Sequence, residues 1–348
     1  MMDKRFIKAL EKARRGRLLQ YDDILVLLSA GPQEQVELFT LADRVRRRYM
    51  GDEVHIRGII EFSNYCVRQC CYCGLRAANT GVKRYRLSEE VIVHTAQKAY
   101  RLGYRTVVLQ SGEDPYYSIE RLARIIRRIK METGLAVTMS VGERSFADYQ
   151  RMREAGADRY LLKQETSDPV LFAKLRPQTI LEDRVRCLKW LKELGFQIGS
   201  GNMVGLPGQT METLVRDLVL MRELDVDMAG IGPFIPHPKT PLAGNPGGTL
   251  VMTLKVLAVA RLIMPDVNFP ATTALETIHS GGRKLALQCG ANVIMPNITP
   301  VACRAHYSIY PNKAGTKEEP EECLCSINKL VGELGRKVST GLGDRIKI

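Results

Sequence analysis

Val54-His55-Ile56-Arg57-Gly58-Ile59-Ile60-Glu61-Phe62 runs into Ser63-Asn64-Tyr65-Cys66-Val67-Arg68-Gln69-Cys70-Cys71-Tyr72-Cys73-Gly74, and this junction decides how the chain is read. The apolar run reads as a buried strand. Cys66, Cys70 and Cys73 then stand at C-x3-C-x2-C spacing on the loop that leaves it. Three thiolates on one short loop can hold three irons of a 4Fe–4S cluster. The fourth iron is left without a protein ligand and is open to react, whereas a fully ligated cluster carries electrons or holds structure. A structural zinc site is the competing reading, but it wants four ligands in paired form. Cys71, next to Cys70, points elsewhere, and no second C-x2-C pair lies at zinc-finger distance. A disulfide framework is disfavoured by the odd count of nine cysteines and by the lack of a signal peptide at Met1-Met2-Asp3-Lys4-Arg5.

Composition sets the outer limits. A chain of 348 residues can bury one large core. No apolar run approaches the roughly 20 residues of a membrane span. The expectation is a cytoplasmic protein in a reducing, anaerobic setting that keeps thiols and cluster intact. The net charge is +13, with basic runs at Arg14–Arg17, Arg44–Arg48 and Arg124–Lys130. Each run lies on a helical pattern, so solvated helix faces account for it. The functional alternative is a docking face for an acidic protein or RNA. Aromatics make up only 6% and no RNA-binding module is present, so nucleic acid is not expected.

Residues 1–50 read as helices, for example over Gln33–Val45. From Val54 a unit recurs: short apolar strand, loop, amphipathic helix, glycine, next strand. Gly103, Gly134, Gly156, Gly195 and Gly290 stand where a helix C-terminus favours glycine. The strands read are Val54–Phe62, Thr106–Gln110, Ala136–Val141, Arg159–Gln164, Gln197–Val204, Met228–Phe234, Phe269–Thr273 and Asn292–Met295. Helical patterns fill Glu89–Leu102, Ile119–Glu132, Arg184–Leu194, Met211–Leu224 and Leu250–Met264. Eight such units in about 250 residues predict an α/β fold, a complete (β/α)8 TIM-like barrel. An open doubly wound sheet has no need of eight regular units. The expected organisation is a helical extension over 1–50, the barrel over 51–300, and a C-terminal extension over 301–348 closing the barrel.

In a barrel, function gathers at the carboxyl ends of the strands. The second strand ends Gln110-Ser111-Gly112-Glu113-Asp114-Pro115, which alone is ordinary turn chemistry. The third ends Thr138-Met139-Ser140-Val141-Gly142-Glu143. Arg159, Lys163 and Glu165 alternate on the fourth and share one face. Charges there line a cavity or must be paired. Glu165 suits the hydroxyls of a ribose. Arg184 offers a fork for a carboxylate, although a helix-surface arginine is the commoner outcome. Thr272, Thr273, Met228 and Met295, facing inward, would make a polar, soft-lined cavity; core filling is the plainer role of the methionines. His237, in a proline-rich loop, reads as a packing residue. There is no Walker P-loop, HExxH motif or serine nucleophile elbow.

Strand, C-x3-C-x2-aromatic-C (Tyr72 before Cys73), then Gly74, resembles the signature of the radical S-adenosylmethionine (SAM) enzymes. From about Tyr49 to Pro311 the chain resembles one branch, the HydE-type maturases of [FeFe]-hydrogenase. The strings that carry this are Leu109–Pro115, Asn202–Thr210, Ile231–Leu242 and Gly290–Asn297. The resemblance implies a radical SAM barrel with one 4Fe–4S cluster on Cys66, Cys70 and Cys73. It implies reductive cleavage of SAM to methionine and a 5′-deoxyadenosyl radical. The substrate would be a small iron–cysteine complex or other thiol-containing molecule. Partners would be a reductant such as ferredoxin or flavodoxin and other hydrogenase maturases, with no membrane; a monomer is expected. The cofactor would meet Tyr72, Gln110, Ser111, Glu113, Met203, Glu165 and Arg184. Thr138, Arg159, Met228, Thr272, Thr273, Met295 and Tyr307 would line the reaction cavity. Some members carry a second cluster at C-x7-C-x2-C; here Gly315 and Ser326 leave only Cys323 of that set, beside Cys325, so no second cluster is expected. Two alternatives stand: a mutase of the methylornithine synthase type acting on a small amino acid, and a non-catalytic metal-binding adaptor docking an acidic protein or RNA.

Overall fold

The structure, a computed structural model, describes residues 2–347. Three helices come first: α1 (Lys4–Arg14), α2 (Tyr21–Leu28) and α3 (Pro32–Met50). Asp3 caps α1 by accepting from the Arg5 amide. Pro32 opens α3, and Glu34 reaches back to the Gly31 amide at 2.8 Å. The strand β1 (Glu53–Ser63) and its cysteine loop follow. The chain then alternates α4 (Glu89–Arg101), β2 (Thr106–Ser111), α5 (Ile119–Thr133), β3 (Ala136–Ser140), α6 (Phe146–Glu154) and β4 (Arg159–Leu161). After these come α7 (Pro169–Leu175), α8 (Leu181–Glu193), β5 (Gln197–Ser200), β6 (Met203–Val204) and α9 (Met211–Glu223). The last part holds β7 (Met228–Ala229), β8 (Gly232–Pro233), α10 (Leu250–Ile263), α11 (Thr273–Ile278), α12 (Gly282–Gln288), β9 (Val293–Ile294), α13 (Val301–Arg304), α14 (Pro320–Glu333) and β10 (Lys337–Val338).

The fold is a parallel α/β fold whose sheet runs β10-β1-β2-β3-β4-β5-β7, with β9 also paired to β1. Every pairing is parallel, which each crossover helix makes possible. The strands read as apolar runs because both faces are covered. Single bridges continue the pairing, Met228 to Asn268 and Pro270 to Val293.

Four expected strands are corrected. The fourth stops at Leu161, not Gln164. The fifth and sixth are each broken, into β5/β6 and β7/β8, with β6 and β8 forming their own pair. Gly201 marks the break at φ +154°, and a Cβ there would lie 2.1 Å from the Gly230 carbonyl oxygen. Two backbones touch at that point, so neither can continue its ladder. No strand forms over 269–273: Pro270 has no N–H to donate, and α11 already begins at Thr273.

The amino ends of the strands are capped by the chain's own tail. Arg57 Nη2 donates to the Gly343 carbonyl at 2.8 Å, and Thr106 Oγ1 donates to that of Leu342 at 2.9 Å. Arg159 pairs with Asp344 and also donates to the Leu342 carbonyl at 3.0 Å. Arg57 and Arg159 are both buried, so these partners offset their desolvation. Asp344→Ala should lower the unfolding free energy by about 1–2 kcal/mol, less than a fully buried pair because Asp344 keeps 43% of its side chain exposed. Urea unfolding of both proteins measures it.

Candidate active site

The carboxyl ends of the strands surround a cavity of about 380 Å³, and the cysteine loop forms one wall of it. The loop is tied to three other segments through its backbone. Val67 donates to the Glu113 carbonyl at 3.0 Å, Cys71 to that of Leu175 at 2.8 Å, and Gly74 to that of Ile309 at 3.0 Å. Gly112 packs against its start: a Cβ there would meet the Tyr65 carbonyl oxygen at 2.2 Å and the Cys66 Cβ at 2.7 Å. His237 packs behind Gly74, with its ring 2.6 Å from where a Cβ would be.

Cys66, Cys70 and Cys73 are free thiols lining the cavity. Burial pushes all three thiols up from the ordinary thiol range. Cationic iron reverses that balance by favouring thiolates. Among the described residues, no three His, Cys, Asp or Glu side chains gather closely enough for a single metal ion. A polynuclear cluster binds each thiolate at a separate iron, so its ligands need not converge on one point.

Four buried polar atoms of lining residues lack a hydrogen-bond partner: Glu165 Oε2, Arg184 Nη2, Arg176 Nε and Thr272 Oγ1. Unpaired buried polar atoms are rare and call for a cause. A ligand bearing a carboxylate and a diol would satisfy Arg184 and Glu165. The donor set therefore fits SAM beside a cluster.

Around the loop, buried and half-buried charges interlock. Arg68 pairs with Glu113, and its Nη2 reaches Glu143 at 2.9 Å. Arg184 Nε donates to the other Glu143 oxygen at 2.7 Å. Arg176 Nη2 lies 3.5 Å from Glu113. Lys163 Nζ is 3.2 Å from Glu165 Oε2, an ion-pair distance without hydrogen-bond alignment, so that oxygen keeps its accepting capacity. Glu165 adopts φ +66°, with its amide on the Gly201 carbonyl and its carbonyl accepting from Met203, both at 3.0 Å. A left-handed non-glycine residue of this kind is held by its surroundings.

Fifteen of the residues singled out from sequence line this one cavity: Cys66, Cys70, Tyr72, Cys73, Gln110, Ser111, Glu113, Glu165, Arg184, Met203, Met228, Thr272, Thr273, Met295 and Tyr307. Thr138 and Arg159 do not. They border a separate small void near the amino ends, with Arg57 and Gln197. Alternation does not carry from Arg159 to Glu165, because β4 ends at Leu161 and Glu165 takes a left-handed backbone; the two side chains lie at different depths, on separate voids. Arg184 is buried in the first turn of α8 and is not a surface arginine. Sequence reading missed Arg68, Arg176 and the role of Glu143. Glu143, at the end of the third strand, could have been found by the strand-end rule; Arg176 carried no signal.

The Gly112 contact generates a test. Gly112→Ala should displace Tyr65–Cys66 and cut iron uptake on anaerobic reconstitution several-fold. Gly81→Ala, with only Asn79 Oδ1 at 3.7 Å, should leave uptake unchanged. Iron per chain measures both.

The sequence model of the Radical SAM superfamily matches residues 60–221. The chain is 53% identical over 311 residues to the [FeFe] hydrogenase maturase subunit HydE of Thermotoga maritima, covering 89% of each. It is 35% identical over 287 residues to the 3-methylornithine synthase of Methanosarcina acetivorans, covering 82% of this chain and 81% of that one. The crystal structure of methylornithine synthase (PylB) superposes with a TM-score of 0.84 at 29% identity, over 95% of this chain and 97% of that one. With a cysteine loop, a strand-end cavity and this identity across nine-tenths of its length, the chain is a radical SAM enzyme of the [FeFe]-hydrogenase maturase HydE family.

Proposed function

We propose that the enzyme cleaves SAM reductively during assembly of the [FeFe]-hydrogenase diiron centre, acting on a small iron–cysteine complex. The supporting observation is that Glu165 Oε2 and Arg184 Nη2, both buried and without a hydrogen-bond partner, belong to residues lining the same cavity as the three thiols. Cys66, Cys70 and Cys73 hold one 4Fe–4S cluster. With cluster and SAM bound, the chemistry supplied is one-electron cleavage of the sulfonium C–S bond to methionine and a 5′-deoxyadenosyl radical. Arg184 receives the SAM carboxylate and Glu165 the ribose diol. Ser111 and Glu113 lie along the methionine part, with Tyr72, Gln110 and Met203 beside the cofactor. Deeper in the cavity, Met228, Thr272, Thr273, Met295 and Tyr307 meet the substrate. Thr138 and Arg159 take no part in that set, because they border a separate void with Arg57 and Gln197.

The architecture we propose is a closed eight-unit barrel over 51–300, with the segments 1–50 and 301–348 packed around it. The bridges Met228 to Asn268 and Pro270 to Val293 support closure. A single cluster per chain is supported by Gly315 and Ser326, and by Cys323 being buried on α14 while Cys325 is exposed. The electron comes from a ferredoxin or flavodoxin, and the product passes to other hydrogenase maturases. No helix among the described residues is long and apolar enough to cross a membrane.

Replacing Cys66, Cys70 or Cys73 with Ala should abolish both cluster and SAM cleavage, while Cys71→Ala should spare them. Iron per chain and 5′-deoxyadenosine formation read this out, and a full cluster in Cys70→Ala would refute the ligand set. Arg184→Lys and Glu165→Gln should keep the cluster but each lose about 1.5–3 kcal/mol of SAM binding, roughly tenfold to a hundredfold. Titrating SAM into the reduced proteins under electron paramagnetic resonance measures the loss.

A further inference from the structure

We infer that Arg176 anchors the cysteine loop at Cys70 and raises the reduction potential of the cluster, an inference that rests on the cluster assignment proposed above. Helix α7 ends one residue before Arg176, whose backbone leaves the helix at φ −129°, ψ 73°. Thr179 Oγ1 donates to the Arg176 carbonyl at 2.7 Å and fixes this exit. From there the segment grips three consecutive loop residues. The Leu175 carbonyl takes the Cys71 amide at 2.8 Å. Arg176 Nη1 lies 3.3 Å from Cys70 Sγ and 3.1 Å from Tyr72 Oη. Only 7% of the Arg176 side chain is exposed.

The charge around it is unbalanced. Glu113, the one carboxylate within ion-pair distance of Arg176 among the described residues, is already paired with Arg68. Arg176 Nε is buried without a partner. The guanidinium therefore keeps an excess of positive charge directed at Cys70. In a buried setting that charge is poorly screened. An N–H donor and a cation at a ligating sulfur stabilise the electron added to the cluster, and hydrogen bonds to sulfur are among the factors that set cluster potentials. Tyr72 and Glu113 orient the fork, which a lysine ammonium cannot reproduce.

The test uses the full chain, reconstituted anaerobically, as wild type, Arg176→Lys and Arg176→Gln. Redox titration followed by electron paramagnetic resonance should give a more negative midpoint in Arg176→Gln, with Arg176→Lys in between. A wild-type midpoint in a fully loaded Arg176→Gln protein overturns the tuning role. Hydrogen exchange in the cluster-free chains reads the anchor separately. Amides of residues 70–72 should exchange at least about tenfold faster in both variants, as expected of a segment that has lost its tether. Unchanged exchange overturns the anchoring role, including where a variant takes up no iron. Wild type that takes up no iron would instead refute the cluster assignment, while the exchange result still judges the anchor.

Discussion

Charge withdrawn from water has to be offset, and at the mouth of this cavity two glutamates and three arginines hold one another in place with one positive charge in excess. Arg68, Glu113, Glu143, Arg176 and Arg184 come from five segments: the cysteine loop, the ends of β2 and β3, the exit of α7 and the first turn of α8. Desolvating an ion costs several kcal/mol unless its partners are in place, so removing one member strands the others. The cysteine loop thus owes its shape to a lattice that only the assembled strand ends can supply. The three thiols on that irregular loop are thereby held along one wall of the cavity.

The other side of the cavity is built by a segment far along the chain. Glu61, on the inward face of β1, is buried and paired with Lys313, and it accepts from Asn297 at 2.7 Å. Lys313 also sits over the Tyr307 ring, 5.1 Å from its centroid. This pins a stretch carrying Tyr307, Ile309 and Tyr310, all lining the cavity. Four residues earlier on the same strand Arg57 binds the tail at Gly343. One strand face therefore organises both ends of the molecule: Arg57 below, Ile59 at the cavity wall, Glu61 above.

Much of this was legible in the residues. C-x3-C-x2-C after an apolar run marked the loop that walls the strand-end cavity, and the recurrence of strand, helix and glycine located most elements within a few residues. Gly134, for example, follows α5 in the left-handed conformation its position suggested. These features are local: periodicity, capping and ligand spacing act within a few residues of chain.

What the chain did not disclose was depth and company. Alternation says which face a side chain takes, not where the strand stops or how far along it the cavity lies, so Arg159 was grouped with Glu165 although β4 ends between them and the two line separate voids. The breaks in the fifth and sixth strands arise from two backbones meeting at Gly201 and Gly230. Arg176 looks in sequence like any arginine after a short helix; its meaning comes from Cys70, 106 residues away. The sequence by itself determined the ligand spacing, the order of elements and the face each strand turns inward, because neighbours in the chain set these. The tertiary structure alone decided which charges pair and which atoms remain unpartnered, because burial and Coulomb matching depend on distances between segments that no local pattern encodes.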